Sequence, residues 1–406
     1  MGTRFDKGAR KKDVQVNMKH ILIVMTSLYN GGAERSLVNF LNELPYDKYQ
    51  VDLLLFMKRG IFLNQLPKEV NVLETPKELT LLYGYKSKGG HLWPIKYIGS
   101  AISKIFTCSD SERRAFRWKY FYSKVIPCMN KEYDIALGYM PCEIIYYLDE
   151  KVMAKKKIGW VHNDYISSKY PYKYDKPHFA RLDALVSISD TCVDILKRTF
   201  PEFRNKIYCL HNITSSRVIH KLALEFFPSE YKAKKINLIS IGRLHRQKGF
   251  DIAVKAASLL KQKKIEFNWF IIGGGNEGKR KLEELIKVED VSDCVKLLGI
   301  RENPYPYIRN ANVFVQSSRY EGKSVVLDEA KILAIPIVAT NYPTVNDQIK
   351  SDCEGMIVPL NPQGLADGIE LMISDSKLSK RFVDYLNTHE YGNQDEIFKY
   401  ISLMES

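Results

Sequence analysis

Short, continuous apolar runs recur along the chain, separated by polar loops and by stretches with helical spacing. The first series falls at residues 21–26, 51–56, 70–73, 133–137, 157–161, 183–189 and 207–210. A second falls at 238–241, 267–272, 295–298, 313–315, 335–338 and 355–360. Runs that are apolar throughout, rather than alternating, are the pattern of strands covered on both faces, as in a parallel sheet wrapped by helices. After the first run, Leu37, Phe40 and Leu41 fall on one helical face, so strand and helix alternate from the outset. Residues 213–235 lack periodicity and end in Lys232, Lys234 and Lys235, which places a boundary near 213. The pattern predicts an α/β protein of two Rossmann-like domains, 18–212 and 213–384, each long enough to bury its own core. Residues 1–17 are basic and aperiodic and read as a disordered leader or remnant.

The most informative stretch is 312–340. An apolar run ends in Ser317 and Ser318, a polar loop carries Glu321, Gly322 and Lys323, and helical spacing begins near Ser324. Strand, loop and helix in that order put ligands at the carboxyl end of the strand, beside a helix N-terminus whose first amides lack intrahelical partners. Glu321 and Glu329 stand eight positions apart, so two carboxylates can meet one extended ligand at different points. A loop carboxylate and a solvated helix residue would carry the same letters. Other strand-to-helix loops hold glycines: Gly31 and Gly32 after the first run, Gly242 with Arg243 and Lys248, Gly273 to Gly275, and Gly299 with Ile300. Glycine lets backbone approach a ligand closely, and it serves a tight turn equally well. His162 ends the fifth run, a position suited to a hydrogen bond or proton transfer and also common for a structural histidine.

Charge changes the picture for one half only. The whole chain carries a formal charge of +14. Residues 1–210 hold 34 basic and 22 acidic side chains, and the remainder hold 27 and 25. A partner of negative charge is therefore expected to meet the N-terminal half. Residues 83–131 interleave Lys88, Lys96, Lys104, Arg113, Arg114, Arg117 and Lys119 with Trp93, Tyr97, Phe106, Phe116, Trp118 and Tyr120. Cations with aromatics suit an anionic membrane surface; helices with solvated basic faces and buried rings are the alternative. No nucleic-acid recognition motif accompanies the charge. The seven cysteines are scattered, without CxxC or zinc-finger spacing, and read as reduced cytosolic thiols. No run reaches the length of a membrane span, and the expected location is the cytoplasm, peripheral at the inner face of the cell membrane.

Glu321-Gly322, Glu329-Ala330 and the stretch Pro336 to Thr340, together with Gly242-Arg243-Leu244 and Lys248-Gly249, resemble motifs of the GT-B retaining glycosyltransferases of family 4. The resemblance runs over nearly the whole chain from Met18 onward. It implies two domains facing each other across a cleft, with residues 385–406 crossing back to the first. It further implies that Arg243 and Lys248 bind a donor diphosphate, that Glu321 faces the donor sugar and that Glu329 faces the ribose. Gly31, Gly32 and His162 would lie beside donor and acceptor, Gly273, Gly299 and Ile300 near the base, and Gly322, Lys323 and Ser324 at the phosphate. The expected reaction moves a sugar from a nucleotide-sugar, a UDP-sugar in the first instance, to a glycan or lipid-linked acceptor in cell-surface polysaccharide synthesis. Arg243, Lys248, Glu321 and His162 are the catalytic candidates. Neither metal nor cofactor is expected, since no convincing Asp-x-Asp pair is present. Two alternatives stay open: a non-catalytic GT-B binding or assembly subunit, and an epimerase or phosphorylase of the same fold. Residues 341–344 depart from the glycine-rich turn of many relatives.

Overall fold

A computed structural model describes residues 18–29, 31–84, 88–231, 235–321 and 324–406, with backbone only at 276 and 277. The proposed leader 1–17, Gly322 and Lys323 lie outside the described residues.

The chain forms two compact units. The first comprises residues 1–212 with 396–406, and the second residues 213–395. The first unit holds strands β1 (Lys19–Met25), β2 (Tyr49–Leu55), β3 (Val70–Val72), β4 (Glu132–Gly138), β5 (Met153–Val161), β6 (Ala184–Ser187) and β7 (Ile207–Cys209). They pair in parallel in the order β3-β2-β1-β4-β5-β6-β7. The second unit holds β8 (Ile236–Ile241), β9 (Phe267–Ile272), β10 (Val295–Gly299), β11 (Val313–Gln316), β12 (Ile337–Thr340) and β13 (Met356–Val358). Its order is β10-β9-β8-β11-β12-β13, again parallel.

Each order reverses once, between β1 and β4 in the first unit and between β8 and β11 in the second. At such a reversal the flanking connections leave in opposite directions and open a crevice at the carboxyl ends of the strands, where ligands of open α/β sheets sit. The strands are buried for the reason their composition suggests. Ile21 to Met25 are wholly inaccessible, as are Leu238, Ile239, Ile337 and Val338.

The return to the first unit starts at Glu396, not at 385. Helix Ser376–Asn387 turns Phe382 into the core of the second unit, and Asn393 is tied there by exchange of hydrogen bonds with the Thr214 backbone at 2.7 and 3.1 Å. Helix Glu396–Glu405 then packs on the first sheet. Tyr400 stacks against Phe40 and Trp160 with ring centroids 5.0 and 6.0 Å apart, and Lys156 donates to the Leu403 carbonyl.

The basic aromatic region divides into an inner and an outer set. Trp118 and Tyr122 are buried and belong to the core of the first unit. Helix Trp93–Phe106 leaves Trp93, Tyr97, Ile98, Ile105 and Phe106 exposed. Lys88, Lys104 and Lys119 are exposed in the same region, whereas Lys96 turns back to the Leu81 carbonyl at 3.1 Å.

Candidate functional site at the switch point of the second sheet

Lys248 follows β8 and Glu321 follows β11, so these two residues stand on opposite sides of the reversal in the second sheet. Their side chains meet. Lys248 Nζ is 2.7 Å from Glu321 Oε1, with side-chain exposures of 16% and 7%. Three further donors hold the same carboxylate: Ser318 Oγ at 2.6 Å, Gln316 Nε2 at 3.3 Å and Gln247 Nε2 at 3.2 Å. A nearly buried charge is tolerated when it is paired and hydrogen-bonded, and Glu321 meets both conditions. It is therefore a positioned group and not a free loop carboxylate.

Two glycines make this contact sterically possible. A Cβ at Gly242 would meet the Lys248 side chain at 2.9 Å, so its absence opens the path for the lysine stem. Gly249 has φ +62, and a Cβ there would fall 1.9 Å from the Ser317 carbonyl oxygen. The turn is then pinned to β11, since Ser317 Oγ donates to the Lys248 carbonyl at 2.8 Å.

Glu329 lies in helix Val325–Ile332 at 2% exposure, and Tyr305 donates a hydrogen bond to it at 3.0 Å. It points inward, which removes the reading of a solvated helix residue. The first amides of this helix are less open than helix geometry alone suggests. Ser324 N donates to Gln348 Oε1 at 2.7 Å, and Gln348 Nε2 returns a bond to the Ser324 carbonyl at 3.1 Å. The expectation of a free amide at Ser324 is thus corrected, because an internal side chain takes the place an anion would hold.

Arg243 lines a cavity of about 870 Å³ together with His245, Arg246, Phe250, Leu282 and the glycines Gly274 and Gly275. It makes no ion pair with a described side chain. The structure thus brings Lys248 and Glu321 into contact and sets Arg243 beside the neighbouring cavity. Gly273 also needs its lack of a side chain, since a Cβ would lie 1.8 Å from the Gly242 carbonyl oxygen. Gly299 has φ +72 with open space around it, and Ile300 after it is 40% exposed.

In the first unit, Gly31 precedes helix Gly32–Glu43. The Glu34 carboxylate folds back over it, so that a Cβ at Gly31 would meet Glu34 Oε2. Burial raises the Glu34 pKa, opposed by hydrogen bonds from the amides of Glu34 and Gly31. Gly32 faces open space. His162 follows β5 and is buried, with Nε2 3.1 Å from the Tyr139 carbonyl and Nδ1 without a partner. A carbonyl only accepts, so Nε2 carries the proton and Nδ1 presents a lone pair. Burial lowers its pKa to about 4, which keeps the ring neutral near pH 7.

Sequence reasoning did not single out Gln247, Gln316, Ser318, Tyr305 or Gln348. Gln316 and Ser318 carried a usable signal, being polar residues at the end of an otherwise apolar strand. Tyr305 and Gln348 carried none, because only packing brings them to Glu329 and Ser324.

Two parallel, doubly wound units, each with a crevice at its strand ends, define the GT-B class of fold. Anabaena HepE, solved in complex with UDP and glucose, shares it with a TM-score of 0.61 at 14% identity, over 95% of this chain and 98% of that one. Residues 223–388, most of the second unit, match the model of the glycosyl transferases group 1 family. An uncharacterized glycosyltransferase of Methanocaldococcus jannaschii is 26% identical over 67% of this chain and 66% of its own length. The Campylobacter jejuni N-acetylgalactosamine-N,N'-diacetylbacillosaminyl-diphospho-undecaprenol 4-alpha-N-acetylgalactosaminyltransferase is 27% identical over 52% of this chain and 56% of its own. The chain thus spans between about half and two thirds of the length of these curated relatives.

Proposed function

We propose that the protein is a retaining glycosyltransferase that moves a sugar from a nucleotide-sugar, with UDP as the nucleotide, to a glycan or lipid-linked acceptor in polysaccharide synthesis. The observation that carries this reading is the Lys248–Glu321 pair spanning the β8/β11 reversal, with buried Glu329 about one turn into the helix that follows. Breaking the bond between the anomeric carbon and the diphosphate places growing negative charge on the diphosphate. Preorganised donors aimed at that charge are the strongest device available to such a site. Lys248, fixed by Glu321, and Arg243 supply cations without metal. The acceptor oxygen bonds to the anomeric carbon on the face the diphosphate leaves, and the acceptor proton passes to the departing oxygen. The relative that acts on a diphospho-undecaprenol-linked glycan supports a lipid-linked acceptor. The apolar ridge of helix Trp93–Phe106 with its exposed lysines supports docking on an anionic membrane surface.

The test is a panel of nucleoside diphosphates followed by a donor panel. One nucleotide at about 100 times its Kd stabilises the protein by about 2.7 kcal/mol, read as a raised melting temperature. The matching nucleotide-sugar then gives a product one sugar heavier by mass spectrometry with a lipid-linked acceptor extract. A panel without any stabilising nucleotide defeats the donor-site reading, and binding without turnover on any acceptor favours a non-catalytic subunit.

A further inference from the structure

Cys209 ends β7, His211 lies two residues beyond it, and Asp190 opens helix Asp190–Thr199. Each offers one ligand atom, and the three atoms lie within 4.8 Å of one another. Cys209 Sγ and His211 Nδ1 are 3.8 Å apart. A tetrahedral zinc ion with ordinary Zn–S and Zn–N bonds holds its sulfur and nitrogen ligands roughly 3.6 Å apart, so this pair already stands at the spacing a shared ion requires. Glu396 contributes a second, independent feature. It opens helix Glu396–Glu405, and its Oε2 is buried without a hydrogen-bond partner, while its other oxygen pairs with Lys399 at 2.6 Å. The Glu396 charge is close enough to act on the Cys209 thiol.

We propose that Asp190, Cys209 and His211 form a binding site for one Zn²⁺ ion, with Glu396 or water in the fourth position. The chemistry of the set selects the ion. Thiolate and imidazole favour zinc over magnesium or calcium, which take oxygen ligands. On binding, the Cys209 thiol proton leaves to solvent and the cation takes its place between sulfur, imidazole and carboxylate. Lys399 is the resident cation nearby, and its exposed ammonium can move to solvent. The ligands join the end of β7 to the start of one helix, and Glu396 brings in the start of the returning helix. The ion is thus a structural clip within the first unit, apart from Lys248 and Glu321 in the second. Its test is independent of the reaction proposed above.

The experiment uses the full chain, treated with chelator and desalted, then titrated with Zn²⁺ against a chromophoric chelator. Co²⁺ serves as the spectroscopic probe. The expected result is one equivalent of zinc, undisturbed by excess Mg²⁺, a melting temperature raised by zinc, and a thiolate-to-cobalt charge-transfer band. Cys209→Ser and Asp190→Asn each weaken binding at least tenfold and abolish the band or shift it, while Cys192→Ser leaves both unchanged. Near-ultraviolet circular dichroism establishes that each variant is folded. Zinc binding of undiminished strength in folded Cys209→Ser and Asp190→Asn overturns the proposal, as does folded wild-type protein that takes up no zinc or gives no cobalt charge-transfer band.

Discussion

The two switch points are built from the same sheet geometry and filled with different side chains. In the second unit, an ammonium and a carboxylate meet across the reversal and polar side chains surround them. In the first unit, the corresponding ends carry rings and uncharged hydrogen bonds beside a partly buried ion pair, Arg114 Nε to Glu143 Oε2 at 2.7 Å, where the helix after β4 begins. Ser36 Oγ lies 3.1 Å from Tyr139 OH and donates to Asn212 Oδ1 at 2.8 Å, Tyr139 stacks on Trp160, and His162 is held neutral by burial. The difference teaches that a doubly wound fold supplies a crevice and leaves its chemistry to the loops. The ion pair of the second unit joins the two loops that flank the reversal, whereas that of the first ties a helix start to the helix carrying Arg114 and leaves rings and uncharged groups at the strand ends.

The largest effect is expected where the charge is. Lys248→Met removes the cation that the proposed reaction sets against the leaving diphosphate, and it leaves Glu321 with neutral donors only. Turnover should fall about 10²- to 10³-fold. Stability should fall by about 3 kcal/mol, since an unpaired charge with little access to water remains. Steady-state rates and chemical denaturation of the same variant check both. Turnover within a factor of two of wild type would erase the distinction between the crevices.

Titration sharpens the contrast from the other side. The folded pKa of His162 lies near 4, below the ordinary value of about 6.5, so the unfolded chain takes up this proton first as pH falls. Its contribution is fully present above about pH 6.5 and is lost down to about pH 4, by on the order of 3 kcal/mol. Asp175 behaves in the opposite sense. Burial raises its pKa to about 6 against hydrogen bonds from Tyr146 and Tyr165 and the charge of His178. The folded state therefore holds that proton longer, and the contribution present at low pH is lost as pH rises through about 6. The two dependences offset one another between pH 4 and 6. His162→Phe should make stability fall as pH rises in that window, and Asp175→Asn should make it rise, both read by denaturant melts across pH. Equal curves for both variants and wild type would remove the neutral-histidine reading.

Gly249→Ala should cost about 2–4 kcal/mol, from a left-handed backbone and a Cβ forced against a carbonyl oxygen, and it should displace Lys248. Thermal denaturation checks the first effect and nucleotide affinity the second. The smallest effect belongs to the outer face of the first unit. Trp93→Ser should weaken binding to anionic vesicles roughly tenfold, the loss of one interfacial aromatic, and high salt should weaken it further. Flotation that is indifferent to both would confine function to the strand ends.

The strands were legible because each is a continuous apolar run, and Ile21 to Met25 or Ile337 and Val338 have no other stable place than a covered sheet. Glu321 and Glu329 stood out because their spacing runs along one loop and one helix, and Lys248 because it shares a second loop with Gly242, Arg243 and Gly249. The boundary at 396 was not legible, since helix Ser376–Asn387 and helix Glu396–Glu405 are both amphipathic and only packing assigns each to its sheet.

By itself, the sequence determined two parallel sheets, their boundary near 213 and the charged residues of the second crevice, because hydrophobic period and loop chemistry are local properties. Tertiary structure alone decided that Glu321 is held by four donors, that Gln348 occupies the Ser324 amide, and that Asp190, Cys209 and His211 converge. Those contacts join residues from separate elements, and their spacing along the chain carries no trace of the distance between them in the fold.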